Sequence, residues 1–177
     1  MSNPIPADLL GMFALTMRAP WGTAIGRWGK PDENRDWKPW PAVLGQRIGI
    51  HQGGVPTVRG GLARNAAGSA VSASLLGLRD AGLLPVDIEA ATRQILADAG
   101  KLIATAVVSD YSEVFQDHAV SMWQHPGRKI DKGPWMIAGG FAWHLTDLEP
   151  LDKPIALSGI QKLWVIGPDR LPKGARS

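Results

Sequence analysis

Glycine and alanine crowd residues 53–100, and the segments that alternate apolar with polar residues lie before and after that stretch. A strand repeats its faces every two residues and a helix about every 3.6, so the chain divides into a strand-rich opening, a helical middle and a strand-rich close. A doubly wound parallel sheet would need strands and helices to take turns throughout. The pattern predicts an α+β fold instead: a small mixed β-barrel with flanking helices and a helical insertion. At 177 residues one core suffices. The expected division is an N-terminal extension at 1–11, a single domain at 12–168 with its insertion at 53–99, and a basic tail at 169–177 that is polar and mobile.

Residues 13–17 read as a strand, and Pro20 suits the first turn of a helix reaching Trp28, where Trp21, Ala24, Ile25 and Trp28 share one face. Residues 32–37 read as extended. Pro39 and Pro41 make the following segment, with Trp37 and Trp40, a stiff loop. In residues 46–51, Ile48 and Ile50 point inward, with Arg47 and His51 on the opposite side. Inside the insertion strand signals are absent. Its glycines weaken the first half as a helix, residues 71–79 are better, and 87–99 form the clearest helix, with Asp87 as cap and Gly100 at the end. Strands return at 102–110, at 136–147, where Phe141, Trp143 and Leu145 share a face, and at 155–166. Pro150 and Pro154 bracket a turn before the last of these. The strands near Leu15, Ile48, Val107, Trp143 and Trp164 are expected to close the barrel, with the insertion packed outside.

Charge and composition narrow the function. The net charge of +3 and pI near 9.4 suit an acidic partner. Arg18, Arg27, Lys30, Arg35, Lys38 and Arg47 fall early, while Arg128, Lys129, Lys132, Arg170, Lys173 and Arg176 fall late. Together they would face phosphates, or apart they would be a solvated surface. Eight tryptophans against one tyrosine need a core to fill or a ligand to stack on. No apolar run is long enough to span a bilayer, and the first residues lack the pattern of a secretory signal, which points to a soluble, cytoplasmic protein. Without cysteine, thiol nucleophiles, iron–sulfur clusters and cysteine zinc sites are excluded. P-loop, dinucleotide-binding and nucleophile-elbow patterns are also missing, which disfavours triphosphatases, redox enzymes and standard serine hydrolases.

Three segments carry a resemblance. Arg18-Ala-Pro-Trp21, then Gly29-Lys30-Pro-Asp-Glu33-Asn-Arg35-Asp-Trp37, then Gly45-Gln-Arg-Ile-Gly-Ile-His51 look like the opening of an ASCH domain. That family's pattern is a glycine, any residue, Lys, two residues, Glu, one residue and Arg. Lys30, Glu33 and Arg35 match it, while Trp28 stands in place of the first glycine, with Gly29 beside it. The stretch from Gly100 to Asp110 is similar to the family's middle strand. Phe141-Ala-Trp143, Leu148, Pro154-Ile155, Gly159 and Leu163-Trp164 resemble its closing strands. The likeness leaves out residues 1–11, the insertion and the tail. It implies a PUA-like barrel with a pocket beside the early helix, binding RNA, single-stranded nucleic acid or a nucleoside with a modified base, or acting on one.

The chemistry of the matched residues is compatible with both roles. On an extended segment Glu33 and Arg35 project to one side, with Lys30 just before them. Lys30 could hold a phosphate or, once desolvated, act as nucleophile or base. Glu33 could accept hydrogen bonds from a base edge or shuttle a proton, and Arg35 offers a fork for phosphate or carboxylate. A structural ion-pair network is the alternative. The resemblance puts Arg18 and Trp21 at the pocket mouth, where Trp21 is either a core anchor or a stacking wall. Trp37 and Trp40 flank Lys38 and either stack on bases beside a phosphate contact or cap the barrel. His51 is a proton carrier or a structural histidine. His118 and His125 are too far apart for a metal site, and neither metal nor cofactor is expected.

Three functions follow: a reader of RNA or nucleotides, a hydrolase of RNA or N4-acylated cytidine using Lys30 and Glu33, and a protein-interaction domain without a nucleic-acid ligand. Glu33 stands where the family's cytidine-deacylating branch tends to carry Thr, which counts against deacylation.

Overall fold

The computed structural model describes residues 5–55, 57–58, 61–114, 121–122, 135 and 140–172. Among them the strands are β1 (Phe13–Met17), β2 (Asp32–Arg35), β3 (Arg47–Gln52), β4 (Thr57–Val58), β5 (Gly61–Leu62), β6 (Lys101–Val114), β7 (Ser121–Met122), β8 (Gly140–Ala156) and β9 (Leu163–Val165). The helices are α1 (Trp21–Trp28), α2 (Ala66–Asp80) and α3 (Ile88–Asp98).

Six strands form a curled half-barrel in the order β2-β8-β6-β3-β1-β9, and β7 pairs with β6 beside it. The expected α+β class holds. The ladder is open rather than closed, because β2 and β9 form its two ends. Among the named strands of the described residues only β1 and β3 pair in parallel, with α1 and β2 between them in the chain. The long β6–β8 ladder supplies the curl through three register shifts, at Leu102/Ala104, Thr105/Val107 and Val108/Asp110, each of which adds local twist.

β8 corrects the expected turn at Pro150 and Pro154, since both prolines lie within one continuous strand. Two features make room for them. Between the pairs Leu102↔Ile155 and Ala104↔Pro150, Ile103 alone faces residues 151–154, so Pro154 sits in a bulge. β2 meets β8 over Phe141–His144, and among the described residues the proline-bearing half has β6 as its single ladder partner. A proline, lacking an N–H, is tolerated at a bulge or along an open edge.

The inner face of the sheet carries Leu15, Met17, Ile48, Ile50, Val108 and Trp143, and the buried Ile25 of α1 packs into them. A second cluster on the other side joins Ala14, Leu102, Trp164 and Ile166 to Leu9, so the N-terminal extension is docked. The tail is partly docked as well. Pro168–Arg170 forms a single 3-10 turn, Ser158 N–H donates to the Arg170 carbonyl at 2.6 Å, and the Arg170 guanidinium lies 5.6 Å from the Trp164 ring centroid. Residues 173–177 lie outside the described residues.

β3 is buried on both faces, so His51, on the side opposite Ile48 and Ile50 as expected, is buried as well. The insertion also differs from expectation at two points. It contains the small β4–β5 ladder, and α2 starts at Ala66, because the Asn65 side chain caps it by accepting from Gly68 N–H at 3.0 Å. α3 begins as expected, with Asp87 accepting from Ala90 N–H at 2.6 Å.

α1 lies unusually close to the sheet. A Cβ at Gly22 would fall 2.6 Å from Gln52 Oε1 and 3.0 Å from its Cα, and one at Gly26 would fall 2.9 Å from Ile103 Cδ1. The proximity is used, because Gln52 Oε1 accepts from Thr23 N–H at 2.9 Å and so caps the helix from β3. On the flank of α1 next to these glycines, Arg27 donates to both oxygens of the fully buried Asp98 at 2.6 and 2.7 Å, and Thr23 Oγ1 adds a bond of 3.1 Å. α3 is thereby tied to α1.

Gly22→Ala should lower stability by about 1–2 kcal/mol, the crowding against Gln52 outweighing a helix-propensity gain of up to about 1 kcal/mol. Gly77→Ala in α2, where a Cβ would meet nothing within 4 Å, should raise stability by about 0.5–1 kcal/mol. Urea midpoints at unchanged slope would check both.

Candidate functional site

The sequence Asp32-Glu-Asn-Arg35 forms β2, and its alternation sorts four polar side chains onto two faces. Glu33 pairs across the ladder with Trp143, an inner-face residue, and Arg35 pairs with Phe141, which packs against the same core. Asp32 and Asn34 therefore point to the other face.

Lys30 joins the inner set from the end of α1. Gly29 closes the helix in the left-handed conformation, at φ 73°, which favours glycine, and Lys30 N–H returns to the Ala24 carbonyl at 3.1 Å. Lys30 Nζ then lies 3.7 Å from Glu33 Oε2, while Arg35 Nη2 is 2.9 Å from Glu33 Oε1. Arg35 Nη2 also donates to the Thr16 carbonyl at 2.9 Å, bridging β2 to β1 across the open side of the half-barrel. The three residues expected on one side are brought together.

The cluster is nearly dry. The Lys30 side chain is 1% exposed, Glu33 6% and Arg35 17%. At 3.7 Å the Lys30–Glu33 contact is an ion pair rather than a hydrogen bond. Lys30 Nζ and Arg35 Nε have no hydrogen-bond partner among the described residues, although both are buried. Burial pushes the Lys30 amine below its ordinary value, against the opposing pull of Glu33 and then Asp32. Nζ also lies 5.9 Å from the centroid of the Trp21 ring.

The aromatic candidates divide. Trp21 is half-buried and packs against both the inner core and the helical cluster of α1, α2 and α3. Trp37 is half-buried, stands edge-on to Trp143 at 4.7 Å between centroids, and accepts the Trp143 indole N–H at its carbonyl at 3.1 Å. It caps the core. Trp40 is 45% exposed and touches Trp37 and Phe13 at centroid distances of 6.5 and 6.3 Å. Lys38 is exposed, with Nζ 5.5 Å from the centre of the Phe141 ring, and Arg18 is exposed as well. Arg27, Arg35 and Arg47 are engaged with Asp98, Glu33 and Glu149, which narrows the basic surface imagined from the sequence. Arg128, Lys129, Lys132, Lys173 and Arg176, with His118 and His125, lie outside the described residues.

His51 is a structural residue. Its Nε2 lies 3.1 Å from the Leu157 carbonyl, which can only accept, so Nε2 carries the proton. Nδ1 then accepts from Thr16 Oγ1 at 3.2 Å, and Thr16 Oγ1 accepts from the Trp164 indole N–H at 2.9 Å. This chain is satisfied by a neutral imidazole, and burial pushes His51 below its ordinary value.

One group was missed by sequence reading. On the outer face, Asp32 Oδ1 lies 2.5 Å from His144 Nδ1, and His144 Nε2 lies 3.1 Å from Ser112 Oγ. Each residue comes from a different strand and no local pattern marks them, so no sequence signal could have joined them.

No helix among the described residues is long and apolar enough to cross a membrane. No family model matches the sequence, and no curated protein matches it.

Because His51 is held neutral, the unfolded state binds the proton first, near pH 6.5, and the native state resists it. The contribution of His51 is fully present above about pH 6.5 and declines as pH falls below it, by at most about 1.4 kcal/mol per pH unit. Denaturation between pH 8 and 5.5 should show this slope in the wild type and a shallower one in His51→Gln.

Proposed function

We propose that the inner face beside α1 binds RNA or a nucleotide, with Lys30, Glu33 and Arg35 receiving the ligand and Trp21 beside them. The observation that carries this reading is the pair of buried donors, Lys30 Nζ and Arg35 Nε, left without hydrogen bonds among the described residues. An unmet buried donor costs about 1–3 kcal/mol, more when charged, and a ligand's acceptor atoms would remove that penalty. A phosphate or a base carbonyl presents such atoms. Exposed Trp40 and Lys38 suit stacking and phosphate contact where a strand leaves the cluster. The ASCH resemblance supports the same reading. It adds that the half-barrel is a PUA-like domain and that the protein works as a cytoplasmic reader of nucleic acid.

A specific observation favours a second reading, hydrolysis of RNA or of an acylated base. Burial weakens the proton affinity of Lys30, which favours the unprotonated amine that a nucleophile or base requires, with Glu33 within reach as a proton carrier.

Lys30→Met should separate function from folding. Removing a dry, unbonded amine should leave stability equal or raise it by about 1 kcal/mol, since Glu33 keeps Arg35. Affinity for a short single-stranded RNA should fall about ten- to a hundredfold. For the wild type, affinity should drop with added salt, because phosphate contacts release counterions. Wild-type RNA binding that is absent or indifferent to salt, or binding unchanged in Lys30→Met, would refute the reader. Turnover of RNA or N4-acetylcytidine that vanishes in Lys30→Met and Glu33→Gln with binding retained would establish the hydrolase instead.

A further inference from the structure

The outer face of the β2–β8–β6 ladder assembles a serine, a histidine and an aspartate in hydrogen-bond sequence. Ser112 pairs with Ala142 and Asp32 pairs with His144, so the three side chains leave the sheet on the side opposite Trp143. Ionised Asp32 can only accept, so at 2.5 Å it fixes the His144 proton on Nδ1. Nε2 is then an acceptor, and the hydroxyl that faces it at 3.1 Å belongs to Ser112. Of the three, the Asp32 side chain is 9% exposed and that of His144 16%, while Ser112 has no exposed surface. Asp110 lies directly across the ladder from His144, so its carboxylate shares this face.

We propose that Ser112 is a nucleophile activated by His144 as general base, with Asp32 as the positioning residue, and that it accepts small acyl groups. The roles follow from geometry, as they do wherever this constellation occurs on unrelated folds. In the forward step the Ser112 Oγ–carbonyl bond forms while Nε2 takes the hydroxyl proton. The bond to the leaving group then breaks, and the imidazolium returns that proton to the departing atom. Water, deprotonated by Nε2, attacks the acyl-serine, the ester bond breaks, and Oγ recovers its proton as the acid leaves. With Ser112 buried, a donor reaches it only through local opening around the strand. This restricts the class to small acyl or sulfonyl groups and excludes polymers. The site lies on the opposite face from Lys30, Glu33 and Arg35 and is independent of the nucleic-acid reading.

Phenylmethanesulfonyl fluoride is the probe, with intact mass and peptide mapping of the full chain as readout. Attack on sulfur expels fluoride and leaves one sulfonyl group on the protein. The wild type should gain a single adduct on Ser112, absent in Ser112→Ala and formed about a hundredfold more slowly in His144→Gln. Asp32→Asn should also slow it. Asp32→Glu, which keeps a carboxylate for Nδ1, should recover part of the rate that Asp32→Asn loses, with native circular dichroism in both variants. No adduct in the wild type, an adduct on another residue, or equal rates in wild type and both His144→Gln and Asp32→Asn would overturn the assignment.

Discussion

The close approach of α1 to β3 and β6 is the constraint on which the rest of the molecule depends. Gly22 and Gly26, four residues apart, turn a side-chain-free stripe of the helix to the sheet, and the Gln52 side chain occupies the space to cap the helix. A helix held this near has its opposite face, with Ala24 and Trp28, free for the insertion, while Arg27 and Thr23, on the flank between, fasten α3 through Asp98. The same placement decides where α1 ends, and so where Gly29 turns Lys30 into the interior.

A buried carboxylate between two cations is an unusual inner wall for a half-barrel. Burying charges costs several kcal/mol each, and attraction offsets this only where hydrogen bonds complete the arrangement. Arg35 comes close to that condition, since its Nη2 binds both Glu33 and the Thr16 carbonyl. Lys30 does not, because its nearest carboxylate oxygen is 3.7 Å away. A pure ion-pair network built for stability would be expected to satisfy its lysine. The proposed ligand role accounts for Lys30 Nζ and Arg35 Nε, two of the three buried side-chain atoms left without a hydrogen bond among the described residues, the third being Arg170 Nε.

β2 shows how four consecutive polar residues can serve two surfaces. Its alternation sends Glu33 and Arg35 inward and Asp32 outward to His144, so one short edge strand supplies both constellations. Tilting or slipping β2 by one residue would exchange the faces and dissolve both at once.

The sequence by itself determined the local geometry: the strand at Phe13–Met17, the helix from Trp21 to Trp28, the Asp87 cap, the α+β class, and the shared side of Glu33 and Arg35. These rest on alternation, helical spacing and capping, which act over a few residues and can be read within a short window. Long-range pairing decided the remainder. His51 is buried because Leu157 and Trp164, more than a hundred residues further along the chain, lie against its face of the sheet, and β8 runs through Pro150 and Pro154 because a bulge and an open edge remove the need for their amides. Ser112, His144 and Asp32 meet across separations of 32 and 112 residues. Their contact is set by the register of three strands, and no window of sequence contains it, since register is fixed only when the whole sheet chooses its buried face.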